Sequence, residues 1–124
     1  MKKIIATENA PGAIGPYSQG VVAGNTLYVS GQLPLDPKSG TMPASAPEQA
    51  EQSLKNVQAI IEAAGFSLDD VVKTTVLLKD ISDFGSVNEV YAKFFQKDCP
   101  ARACFQVAAL PKDALVEIEA IAAK

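Results

Sequence analysis

A chain of 124 residues, 48% hydrophobic and 20% charged, is too apolar for a disordered tract, and long enough to bury about two-thirds of the surface its unfolded form exposes. Its net charge of −3 repels a phosphate backbone, which argues against nucleic acid as the main partner. The absence of histidine removes the commonest general base near neutral pH and the commonest metal ligand, so any chemistry must run on carboxylates, hydroxyls, thiols and backbone groups, with no cofactor expected.

Along the chain, "KKIIA" reads as a short opening strand, and "NAPGAIGPYSQG", with three glycines and two prolines, as a loop. It lacks the lysine and hydroxyl pair of a nucleotide-binding loop. "GVVAGNTLYVSGQ" places two β-branched and aromatic runs around Gly24-Asn25, a hairpin signal. The four prolines of "LPLDPKSGTMPASAP" predict an exposed connection. Ser45 and Glu48 form a capping box, Pro47 suits a first turn and Gly65 a stop, so a helix is predicted from about Pro47 to Ala64. Its apolar stripe is Ala50, Leu54, Val57, Ile60, Ile61 and Ala64. "VVKTTVLLK" reads as a strand covered in part on both faces. Asp83 is placed to cap a second helix with Val87, Val90, Tyr91, Phe94 and Phe95 on its apolar face, ended before Pro100. "RACFQVAAL" and "ALVEIEAIA" complete the chain as strands around "PKD". The order of two or three strands, helix, strand, helix and two strands fits one α+β domain over residues 1–124, a sheet with two helices on one face.

No apolar run approaches the roughly 20 residues of a membrane helix, and the first residues lack the long apolar centre of a signal peptide. A cytoplasmic protein with no membrane partner is expected. Cys99 and Cys104 stand too close together for a framework disulfide and read as free thiols.

The functional candidates begin with Arg102, the only arginine beside ten lysines. A lone guanidinium marks a position that needs a planar, permanently charged, forked donor. Alternation sets Arg102, Cys104 and Gln106 on one face of their strand, and Glu117 and Glu119 on one face of the last. Such polar faces can simply meet water. If the last two strands formed a plain hairpin, Arg102 would lie some five rungs, roughly 16 Å, from Glu117. A joint site then needs an intervening strand that changes the register, or a second subunit.

"PARACFQVAALPKDALVEIEAIA" closely resembles the C-terminal signature of the RidA/YjgF reactive-intermediate deaminase family, and "GAIGPYSQG", "LYVSGQLPLDP" and "VNEVYAKFF" resemble its other segments in the same order. The resemblance spans the chain. It implies a chorismate-mutase-like α+β fold, a last strand lying inside the sheet, and a homotrimer with sites in clefts between subunits. It further implies hydrolysis of enamine and imine intermediates, 2-aminoacrylate and 2-iminobutanoate, to 2-oxo acids and ammonia. On the matching positions, Arg102 is expected to clamp the substrate carboxylate through two parallel hydrogen bonds, and Glu117 to orient water and move protons. Tyr17, Ser30, Gly31, Asn88 and Cys104 match positions that line the cleft. A nucleophilic role for Cys104 has no histidine to support it. Phe105 and Gln106 stand beside the clamp where members vary, and are expected to alter the pocket. The competing classes are a ligand-binding regulatory trimer, which keeps the clamp without needing Glu117, and an endoribonuclease or translation inhibitor, which the acidic charge disfavours.

Overall fold

The structure is a computed structural model describing residues 1–124. One six-stranded sheet runs through the chain: β1 (Lys2–Ile5), β2 (Gly20–Ala23), β3 (Thr26–Gln32), β4 (Val71–Leu78), β5 (Ala101–Gln106) and β6 (Val116–Ala123), in spatial order β1-β2-β3-β6-β4-β5. Two helices, α1 (Ala46–Ala63) and α2 (Phe84–Phe94), complete it. The last strand therefore inserts between β3 and β4, antiparallel to both, while β5 pairs parallel to β4 at the edge.

The β2–β3 hairpin turns at Gly24, whose φ of 61° favours glycine. Helix α1 starts where Ser45 Oγ accepts from the Glu48 amide at 3.3 Å and ends before Gly65 at φ 82°. Its buried stripe of Ala50, Leu54, Val57, Ile60 and Ile61 meets Leu27, Val29, Val76, Leu78, Val116, Ile118, Ala120 and Ala122 of the sheet in one core. Val87, Tyr91 and Phe95 bring α2 into the same core. Both helices thus cover one face of the sheet.

The other face carries no helix. Ile4, Tyr28 and Phe105 stand on it, each close to half exposed at 51%, 49% and 47%, beside the partly buried Leu77 and Ile121. The expectation that β4 is covered in part on both faces holds over its second half, where Val76 and Leu78 are buried on the helix side and Thr75 and Leu77 are partly buried on the other, while Val72 and Lys73 are exposed.

Two local expectations are corrected. The connection after β3 is not wholly exposed, because Pro34 and Leu35 are buried and the Asn56 side-chain amide donates to the Leu33 and Leu35 carbonyls at 3.0 and 2.9 Å. A buried amide on α1 satisfies backbone that would otherwise need water. Nor does Asp83 cap α2 through its side chain; Asp80 accepts from the Ser82 amide at 2.9 Å and starts a short 3-10 turn, Ile81–Asp83, that leads into the helix. This bond holds the Asp80 carboxyl below its ordinary range. No helix is long and apolar enough to cross a membrane.

Candidate active site

The expected site residues fall into two groups. The first gathers where β5 meets α2. Arg102 sits level with Thr74 of β4, and its Nη1 donates to Asn88 Oδ1 at 2.8 Å. Its guanidinium carbon lies 4.7 Å from the Tyr91 ring centre and 5.4 Å from that of Phe84. Stacking on an aromatic face suits a planar cation and restrains it without neutralising it. Arg102 is exposed, and neither ion pair of the chain involves it: these are Lys55 with Glu51 and Lys79 with Asp113. The remaining guanidinium N–H groups are free to take an anion.

Cys104 lies two residues along on the same face, level with Val76 and partly buried against the core. Burial pushes its thiol above the ordinary range, outweighing the nearby Arg102 charge. A thiol kept protonated is a poor nucleophile.

The second group gathers on β3 and β6. Between Val29 and Gln32 the β3–β6 register shifts, since Val29 is level with Ala120 but Gln32 with Ile118. This bulge contains Ser30 and Gly31. A Cβ on Gly31 would collide with Glu117 Oε2, so the glycine makes the space that the carboxylate occupies. Glu117 is half-buried; burial first, and the Glu119 charge second, push its carboxyl above the usual glutamate range. That is the direction a general base working near neutrality requires. Ser30 ties in the loop that carries Tyr17: its hydroxyl donates to the Ser18 carbonyl at 2.6 Å and its amide to the Gln19 carbonyl at 3.0 Å. Tyr17 itself is exposed.

Within one chain the two groups do not meet. Arg102 is level, across β4, with Ala120, three residues or about 10 Å along the strand from Glu117. More decisively, Arg102 shares the helix face with Thr74, while Glu117 lies between the core residues Val116 and Ile118 and so points to the open face. The intervening strand shortens the hairpin separation but leaves the groups on opposite sides. Phe105, level with Leu77 and Glu117, faces the open side as its alternation with Arg102 requires, and so stands on the Glu117 side of the sheet. Gln106 does share the Arg102 face, but its side-chain oxygen is taken by the Ile81 amide at 2.9 Å.

Sequence reasoning missed three residues. Gln19 is buried and its side chain bonds Thr7 N, Thr7 O and Pro11 O at 2.6, 3.0 and 2.8 Å, bracing the Tyr17 loop. Phe84 and Tyr91 flank Arg102, and the signal for both was present: Phe84, Asn88 and Tyr91 step by four and three, which sets them in one stripe of α2.

A six-stranded mixed sheet with its last strand inside and both helices on one face defines a small α+β protein of the chorismate-mutase-like type. The chain belongs to the RidA/YjgF family, whose sequence model, described as endoribonuclease L-PSP, matches residues 7–124. It is 57% identical over 127 residues to the 2-iminobutanoate/2-iminopropanoate deaminase of Escherichia coli K12, covering 100% of this chain and 99% of that protein. The deaminase of the same name from Rattus norvegicus is 56% identical, covering 98% of this chain and 90% of that one. The solved structure of Escherichia coli TdcF with bound serine superimposes with a TM-score of 0.96 at 53% identity, covering 98% of each chain.

Proposed function

We propose that this protein is a 2-iminobutanoate/2-iminopropanoate deaminase, hydrolysing small enamine and imine acids such as 2-aminoacrylate and 2-iminobutanoate to 2-oxo acids and ammonia in the cytoplasm. The observation that carries the reading is the exposed Arg102 guanidinium, held by Asn88 and Tyr91 with no carboxylate of its own chain beside it. Full-length identity to deaminases of that name supports it.

In this reading Arg102 grips the substrate carboxylate. Glu117 takes a proton from water as the water oxygen bonds to the imine carbon; the C=N electron pair moves to nitrogen, and Glu117 hands the proton on to that nitrogen, returning to its carboxylate form. The carboxylate then takes the hydroxyl proton of the resulting carbinolamine and passes it to the nitrogen as the C–N bond breaks, so that ammonia leaves, a carbonyl remains and Glu117 is again a carboxylate. Ser30, Gly31 and Cys104 offer hydroxyl and backbone groups around the reacting centre, and Tyr17 closes over it.

Because the halves face opposite sides of the sheet, a complete site needs two copies, the Arg102 side of one against the Glu117 side of the next. Such a head-to-tail contact closes into a ring carrying one site per subunit. We assign a homotrimer, with the open sheet face around Ile4, Tyr28 and Phe105 as the surface its neighbours cover.

The test couples the protein to a threonine or serine dehydratase and follows 2-oxo acid release. Wild type should accelerate release; Arg102→Lys, which keeps the charge but loses the fork, should raise KM by about tenfold or more, and Glu117→Gln should lose kcat. No acceleration by wild type would leave a binding module. RNA degradation with steep salt dependence would instead favour the ribonuclease reading.

A further inference from the structure

The clamp rests on a buried polar contact that its core surroundings do not require. Thr74 is 1% exposed and Tyr91 6%, yet they meet through their hydroxyls, Oγ1 to Oη at 2.7 Å. Valine and phenylalanine would fill the same space without burying two hydroxyls, and paired removal of such partners is close to neutral for stability. The contact is directional, however. Thr74 is the β4 residue level with Arg102, so the Tyr91 ring is tied by its tip to the rung beside the arginine. The ring also packs on Phe95, with centres 4.9 Å apart. Its face is the one on which the Arg102 guanidinium lies.

We propose that Tyr91, locked by Thr74, is a positioning residue that sets the plane of the Arg102 guanidinium for carboxylate recognition. Two restraints define the cation: the ring face fixes its plane, and Asn88 Oδ1, on Nη1, fixes its rotation within that plane. What remains is the edge formed by Nε and Nη2, two parallel donors matched to the two oxygens of one carboxylate. A lysine would gain nothing from such a platform, since an ammonium has no plane to set. The inference deepens the reading of Arg102 as the carboxylate clamp and rests on it.

The test titrates pyruvate, a stable 2-oxo acid carrying the same carboxylate, into five forms of the protein, with its dissociation constant read by NMR: wild type, Tyr91→Leu, the paired Thr74→Val/Tyr91→Phe, Arg102→Ala, and Arg102→Ala/Tyr91→Leu. Tyr91→Leu should weaken binding by about tenfold, the scale of a cation–π restraint. The paired variant keeps the core filled and the ring face but frees its tilt, and should weaken binding by about threefold with its melting temperature nearly unchanged. In the Arg102→Ala background Tyr91→Leu should cost nothing further, because its effect passes through the arginine. Pyruvate bound normally by Tyr91→Leu and by the paired variant, or a Tyr91 effect that persists without Arg102, would overturn the positioning role while leaving the clamp intact. Normal binding by Arg102→Ala would overturn the clamp and this inference together.

Discussion

Gly31 and Glu117 share one volume: the space a side chain would need on β3 is filled by the carboxylate from β6. The bulge at Ser30 and Gly31 brings the two together, because it slides β3 relative to β6 by one residue just where Glu117 reaches the open face. Gly31→Ala should push the carboxylate aside while leaving the strand paired. The expected result is a loss of kcat of about 10- to 100-fold, the scale of an ångström-sized misplacement of a catalytic group, with the circular dichroism spectrum retained. Wild-type kcat in Gly31→Ala would show that this placement of Glu117 has no part in the reaction.

The acid limb of the pH–rate profile should report Glu117. A base must be ionised to act, so activity falls as pH drops through its pKa. Burial and the Glu119 charge both raise that pKa. Glu119→Gln removes the like charge and should lower it, moving the acid limb of kcat to lower pH, whereas Glu117→Gln should remove the limb along with the activity. An acid limb unmoved by Glu119→Gln would assign it to another group.

Much of this arrangement was legible in the chain, and the remainder has definite physical reasons for being hidden. Turn chemistry at Gly24-Asn25, the Ser45 cap and the Gly65 stop are local signals, and the elements they bound formed as expected. The placement of β6 between β3 and β4 is a long-range pairing that alternation cannot supply; resemblance supplied it. Asn56 was silent because a polar residue inside an apolar stripe looks the same whether it meets water or a buried carbonyl. Alternation correctly put Arg102, Cys104 and Gln106 on one face, but which of the two faces of the sheet that was depended on where α2 packs. Alternation likewise sets Phe105 opposite Arg102, but that it stands level with Glu117 follows from the pairing of β6 beside β4, which the local pattern does not carry.

Asn56 offers a test of the folding half of this description. Asn56→Leu leaves the Leu33 and Leu35 carbonyls without their donor, which should cost about 2–4 kcal/mol of stability. The midpoint of urea unfolding should fall at unchanged slope. A variant as stable as wild type would mean that the segment after β3 does not depend on α1 for its backbone partners.

The most direct measurement mixes two inactive proteins. Arg102→Ala and Glu117→Gln subunits, unfolded together in equal amounts and refolded, would assemble at random. With each site drawing its arginine from one copy and its glutamate from the next, about a quarter of the sites would receive both intact residues, and deaminase activity should return to about that fraction of wild type. A mixture that refolds into full oligomers and stays as inactive as either parent would contradict the shared site.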